Sequence, residues 1–273
     1  MIIKSKNFNV EQIADSGQCF RMNPLGDEDT YSLVAYNRLL KLRQVDHETI
    51  ELNCSKEEYD EVWEEYFDMS YDYNAIIEKI EDGDDEFLKK AVSYGRGIRI
   101  LRQEPFEVLI SFIISQNKNI TSIKKCVEGI CRKYGKLIEN DSNMDYYSFP
   151  SAEKLSKAKQ EDLRALKLGY RDEYIIEASK AVVNGDLNLN HLIKGSHEEA
   201  IVELKKIKGI GDKVANCISL FGLHHIEAFP IDVWIKRVLE DEYNNEFDLS
   251  KYEGYAGIIQ QYMFYYKRSM DTK

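Results

Sequence analysis

No Cys-x-x-Cys pair occurs among the five cysteines, Cys19, Cys54, Cys126, Cys131 and Cys217, so no closely spaced thiolate set is offered to zinc or to an iron–sulfur cluster. The first residues lack a charged segment followed by an apolar one, the usual mark of a secreted chain. A reduced, intracellular protein is therefore expected, in the cytoplasm or at the nucleoid if the source is prokaryotic. Long apolar runs are missing too. The richest, Val108 to Ile114, is far too short to span a bilayer and sits inside a helical pattern, so no membrane partner is expected. There is no internal repeat and no low-complexity segment. Positive charge is in deficit, with 37 Lys and Arg against 48 Asp and Glu, a net charge of −11 and a pI of about 5.1. That balance by itself argues against a polyanionic partner, because phosphate contacts need clustered bases.

The average hides position. Acid is concentrated between Glu57 and Glu86, whereas bases gather at Lys118, Lys124, Lys125, Arg132 and Lys133 and again at Lys205, Lys206, Lys208 and Lys213. A single basic face is compatible with this, and that face, not the total, governs binding to nucleic acid. At 43% hydrophobic, the 273 residues can bury a sizeable core in one large domain or two to three smaller ones.

Runs of β-formers at Tyr31 to Tyr36, Leu39 to Val45 and Thr49 to Cys54 predict an antiparallel meander. Ser55 and Glu58 then form a capping box before Tyr59, Val62, Trp63, Tyr66 and Phe67, an aromatic stripe that reads as core. A helix is predicted from Asp84 to Tyr94, ending at Gly95. From Pro105 onward the pattern predicts helices only: through Ser115, then Asn119 to Tyr134, Ala152 to Ala158, Glu161 to Leu166, Arg171 to Val183, Glu198 to Ile207 behind a Ser196/Glu199 box, and Tyr255 to Arg268. The expected fold is α+β: residues 1–98 as an antiparallel sheet with helices, then an all-helical region over 99–273 whose last helix packs back.

The most informative stretch runs Leu204-Lys205-Lys206-Ile207-Lys208-Gly209-Ile210-Gly211-Asp212-Lys213-Val214-Ala215. One helix stops by Gly209, the chain turns, and another begins near Asp212. Gly209 and Gly211 both permit a left-handed backbone and close approach of a ligand. The free amides of the new helix form an anion site suited to a DNA phosphate, which positions a protein without reading bases. A lone Gly-x-Gly reads first as a tight helix–helix connection. Its surroundings carry more, since Asp232 follows in Pro230-Ile231-Asp232-Val233 at the start of a further helix.

Taken singly, Lys213 reads as a surface or phosphate-binding lysine and Asp232 as an N-cap. Together they offer chemistry. A helix N-terminus and partial desolvation both favour the neutral amine needed for attack on carbon, and the dipole of the next helix is expected to keep the aspartate ionised. Such a carboxylate can stabilise positive charge on a sugar as its base departs.

The run from Lys208 to Cys217 with Pro230 to Val233 resembles the helix-hairpin-helix DNA glycosylases, in particular the bifunctional 8-oxoguanine DNA glycosylase/AP lyases. The resemblance covers nearly the whole chain, through Ser16-Gly17-Gln18-Cys19-Phe20-Arg21, Leu101 to Pro105, Ser115 to Ile120, Leu168 to Arg171, and Tyr255-Ala256-Gly257 before Gln260 and Phe264. It implies that Lys213 attacks the sugar C1′, expels the oxidised purine and forms a Schiff base leading to β-elimination, with Asp232 assisting. It implies that the Gly17 carbonyl accepts from the N7–H that 8-oxoguanine has and guanine lacks. Phe264 and Cys217 would stack on the flipped base and Gln260 would read its Watson–Crick edge. Asn117 would fill the vacated stack, with Tyr170 wedged beside the orphaned base and Arg171 bonded to it, while Gly209 and Gly211 carry the hairpin. A structural cation at the carbonyls of Lys205, Ile207 and Ile210 is also implied; no cofactor is, and a monomer acting on duplex DNA is expected.

Outside the resemblance, Cys217 reads as a buried cysteine, Phe264 as helix core and Gly17 as a turn residue. Two positions depart from the family pattern: Ser122 stands where eukaryotic members carry an arginine facing the opposite cytosine, and Trp234 where they carry a histidine. Three other readings remain: an endonuclease III type enzyme, which needs four C-terminal cysteines; an alkylpurine glycosylase, which lacks the lysine; and a non-catalytic helix-hairpin-helix module.

Overall fold

The computed structural model describes residues 1–26, 29–141 and 144–271. The expected meander forms the centre of a five-stranded antiparallel sheet built from β1 (Ile2–Lys4), β2 (Met22–Pro24), β3 (Thr30–Ala35), β4 (Arg38–Gln44) and β5 (Thr49–Leu52), in the order β1-β5-β4-β3-β2. The edge strands β1 and β2 escape the sequence pattern because three residues cannot display an alternation. Register places Leu33 opposite both Met22 and Leu40, and Leu42 opposite Leu52. The apolar face so formed packs on Trp63, Tyr66 and Phe67, which are fully enclosed. The Ser55 side chain caps their helix by accepting from the Glu58 N–H at 3.1 Å, and a π-helical turn, Tyr59–Trp63, then widens it.

A second core takes the rest. Helices Tyr73–Glu81 and Glu86–Gly95 contribute Ile77, Leu88 and Val92 to it, and Pro105–Ser115 is its spine, buried from Val108 to Ile114. Against that spine lie the helices Arg171–Asn184 and Asp212–Gly222. The last helix, Ala256–Asp271, returns along Glu86–Gly95 and Val233–Asp241, as expected of the chain end.

The expectation of helices only after Pro105 needs correcting. Strands β6 (Leu137–Asp141) and β7 (Met144–Tyr147) form an antiparallel ribbon, with Leu137 opposite Tyr147. Five and four residues, mostly polar, are too few for a two-residue period to stand out. The ribbon starts where Gly135 ends the preceding helix, its N–H donating to the Cys131 carbonyl at 2.7 Å. Among the described residues, no helix is long and apolar enough to cross a membrane.

Candidate active site

The helix His197–Lys205 ends ahead of Gly209, and only one hairpin glycine uses its conformational freedom. Gly209 has φ of +89°, whereas Gly211 is extended at φ −95° and ψ −178° and caps the hairpin helix Asp212–Gly222. A Cβ on Gly209 would lie 2.3 Å from Cδ2 of Tyr174, so close approach as well as backbone angle demands glycine there. The hairpin lysines are matched by acids: Lys205 pairs with Asp212, Lys206 with Glu203, and Lys208 with Glu173 at 2.7 Å. Exposed pairs of this kind offset the local positive charge. What the turn can offer an anion is therefore chiefly its backbone amides. Of the three carbonyls suggested for a cation, that of Ile207 accepts from the Ile210 N–H at 3.1 Å and keeps one lone pair.

Lys213, on the first turn of the hairpin helix, opens onto a cleft of about 1270 Å³ that Gly17, Asn117, Cys217, Asp232, Gln260 and Phe264 also line. Its Nζ sits 5.4 Å from the ring centroid of Phe112, which stacks on Phe221 and meets Phe20 edge-on. An apolar floor therefore lies under the amine. Asp232 caps the helix Val233–Asp241, accepting from the N–H groups of Trp234 at 3.0 Å and Ile235 at 2.9 Å. The helix terminus does not act on this carboxyl alone. Burial raises the Asp232 pKa above the ordinary carboxylate value, against the pull of those amides and of Lys213. Burial likewise pushes the Cys217 thiol up, with Lys213 opposing it.

Further lining of the cleft comes from both ends of the chain. Gly17 has φ of +76°, and a Cβ there would lie 3.2 Å from Cε1 of Phe264, so the turn and the ring are in near contact. Gln260 is held twice, its Nε2 donating to the Pro230 carbonyl at 3.1 Å and its Oε1 accepting from Gln261 at 3.1 Å. On the rim beside the cleft, Asn117 adopts φ +51°, a left-handed angle that asparagine tolerates, and its Nδ2 donates to the hydroxyl of Tyr170 at 3.3 Å. Arg171 is turned inward. Its guanidinium lies 4.4 Å from the Tyr170 ring centroid and donates to the carbonyls of Leu168, at 3.1 Å, and Gln116. Among the described residues, no group of three or more His, Cys, Asp or Glu is placed to hold a metal ion.

Two family models match the chain in succession: "8-oxoguanine DNA glycosylase, N-terminal domain" over residues 1–109 and "HhH-GPD superfamily base excision DNA repair protein" over residues 110–252. The chain belongs to the HhH-GPD superfamily. A Methanothermobacter thermautotrophicus protein named as a probable N-glycosylase/DNA lyase is 30% identical over 232 residues, 74% of this chain and 72% of its own length. The N-glycosylase/DNA lyase of Saccharomyces cerevisiae is 40% identical over 159 residues, which span 54% of this chain but only 42% of the yeast protein. Among solved structures, the 8-oxoguanine glycosylase/lyase of Clostridium acetobutylicum in complex with DNA superposes with a TM-score of 0.91 at 35% identity, covering 99% of this chain and 98% of that one.

Within this HhH-GPD chain, Gln116 does work that no sequence pattern disclosed. Its backbone carbonyl receives Arg171, and its Nε2 donates to the Gly209 carbonyl at 3.1 Å, tying the Asn117 turn, the Tyr170–Arg171 corner and the hairpin together. Phe112, buried in the spine helix, gave no sign of lying under Lys213, because a core phenylalanine looks alike wherever it points. Gly209→Ala is expected to lower stability by about 1–3 kcal/mol, the usual cost of a strained backbone position, and to weaken DNA binding with it. Chemical denaturation and a binding titration on the same variant check this; an unchanged denaturation midpoint would show that the Tyr174 contact yields freely.

Proposed function

We propose that the protein is a bifunctional glycosylase/AP lyase that excises 8-oxoguanine from duplex DNA. The observation that carries this reading is the meeting, in one cleft, of Lys213 and Asp232 on adjacent helix N-termini with Gly17 and Phe264. Attack on C1′ uses the amine lone pair of Lys213 while the bond to the base breaks, and the carboxylate of Asp232 offsets the charge that grows on the sugar. The sugar ring then opens, the C1′–O4′ bond breaking as O4′ takes a proton, and the amine becomes an iminium at C1′; this acidifies the C2′ protons, so loss of one and departure of the 3′ phosphate cleave the strand by β-elimination. Asp232, whose burial raises its pKa above the ordinary carboxylate value, suits the transfer of a proton in that sequence.

Selection follows from the walls. The Gly17 carbonyl accepts from an N7–H, which 8-oxoguanine presents and guanine does not. Phe264 and Cys217 offer faces to a flipped purine, and Gln260 offers an amide to its edge. Asn117 and Tyr170 stand where the duplex would close behind it, and the amides after Gly209 and Gly211 meet a phosphate. The Clostridium structure, similar over nearly its whole length, is described as a complex with DNA carrying cytosine opposite 8-oxoguanine, which supports the substrate. The lysine supplies the nucleophile, so the reading requires no cofactor, and all four groups come from one chain, so a monomer suffices. A DNA substrate also suits the cytoplasm or nucleoid of a prokaryotic cell. The carbonyls of Lys205, Ile207 and Ile210 offer a structural cation a place apart from the chemistry.

Duplex with a single 8-oxoguanine opposite each of the four bases tests the activity and its selectivity together. Strand cleavage at the lesion is expected, and its absence opposite every base would overturn the function. Opposite-base discrimination is expected to be weak. Ser122 sits in the first turn of the helix Ile120–Tyr134 with a side chain too short to reach an orphaned base, and Arg171 faces the protein. Each missing base contact removes about 1–3 kcal/mol of discrimination, so excision opposite adenine should fall within roughly a hundredfold of that opposite cytosine. Single-turnover rates check it; a cytosine preference of about a thousandfold or more would show that another group replaces the arginine.

A further inference from the structure

The reader turn and the stacking ring come from opposite ends of the chain, so something must set the spacing between them. Arg268 lies one turn after Phe264 on the last helix, its guanidinium 5.4 Å from the Phe264 ring centroid and 5.7 Å from that of Tyr265. The same guanidinium pairs with Asp15, the last residue of the helix Val10–Asp15 and two residues before Gly17. Arg268 is largely enclosed, its side chain 16% exposed, while Asp15 faces solvent. Both line the cleft shared by Gly17 and Phe264.

We propose that Arg268 and Asp15 form a positioning pair that holds the Phe264 ring against the Gly17 turn and so sets the width of the slot into which a damaged base is received. The inference rests on the proposed function, since it gives that slot a substrate. A planar guanidinium suits the task because it stacks on aromatic faces and directs its N–H fork at a carboxylate at the same time. An ion pair this near the surface adds little to folding, but a small displacement of the groups that orient a substrate is costly to rate. Neither residue touches the sugar or the amine of Lys213 in this reading, so chemistry on a substrate without a base should be spared.

The test compares two substrates, duplex with one 8-oxoguanine and duplex with one pre-made abasic site, under single-turnover conditions. Arg268→Gln and Asp15→Asn should each slow 8-oxoguanine excision about tenfold while abasic-site cleavage stays within about twofold of the wild type. The double variant should be no slower than the worse single one, because both substitutions break one device. Arg268→Lys, which keeps the charge but not the flat stacking surface, should fall between. Equal losses on both substrates with a lowered melting temperature would make the pair merely structural, and additive losses or no loss would also overturn the proposal. If wild-type protein cleaves abasic sites but never excises 8-oxoguanine, the substrate assignment fails instead; if it excises the lesion and the variants match it, only the positioning pair fails.

Discussion

Lys213→Gln is expected to abolish the covalent protein–DNA adduct that borohydride traps during turnover and to slow base excision by about 10³-fold or more, the scale on which loss of a nucleophile is felt. The amide of glutamine cannot form an imine with C1′, so there is no bond for hydride to fix. The substitution is otherwise mild. Glutamine has a helix propensity close to that of lysine and keeps an aliphatic stem over Phe112. Binding to lesion-containing duplex should largely persist, since in the proposed reading the hairpin grips through its amides and not through this side chain. A gel that resolves the trapped species, run beside a binding titration, separates the two. Adduct formation by the variant would remove Lys213 from the reaction.

Asp232→Asn should cost about a hundredfold to a thousandfold in excision, the usual effect of removing a group that stabilises developing charge. The fold should survive, because asparagine is as good an N-cap and its Oδ1 can still accept from the N–H groups of Trp234 and Ile235. The pH dependence follows from the raised pKa. The native protein holds the Asp232 proton more tightly than the unfolded chain does. Ionising the group therefore lowers stability as pH climbs from the ordinary carboxylate value to the raised one, and the cost persists above it. Asparagine has no such cost, so the variant should lose less stability, or gain some, as pH climbs through that window. Wild-type excision should rise with pH along an acidic limb placed above the range of a free aspartate, and the variant should lack that limb. Equal pH profiles for the two proteins would remove Asp232 as the titrating group.

The outline of the molecule was legible in the residues. Runs of β-formers gave the central strands, the Ser55 and Ser196 caps placed helix starts to within a residue or two, and the Gly209 turn with Asp232 marked the catalytic candidates. These are local signals: a cap or a left-handed turn is dictated by a few neighbouring residues and survives in any context. Short edges were lost because β1, β2, β6 and β7 offer too few residues for a period, and a ribbon's partner is not written in either strand alone.

The sequence by itself determined which residue types could do the chemistry and where the backbone must bend. Only the tertiary structure decided how they meet. It turned Arg171 inward onto Gln116, paired the hairpin lysines with acids, set Phe112 beneath Lys213, and closed Arg268 over Phe264 toward Asp15 across a separation of 253 residues. It also set burial against the helix terminus at Asp232. The reason is physical: a helix terminus acts within its own turn, whereas desolvation depends on every element that packs around the group, and here burial outweighs the terminus.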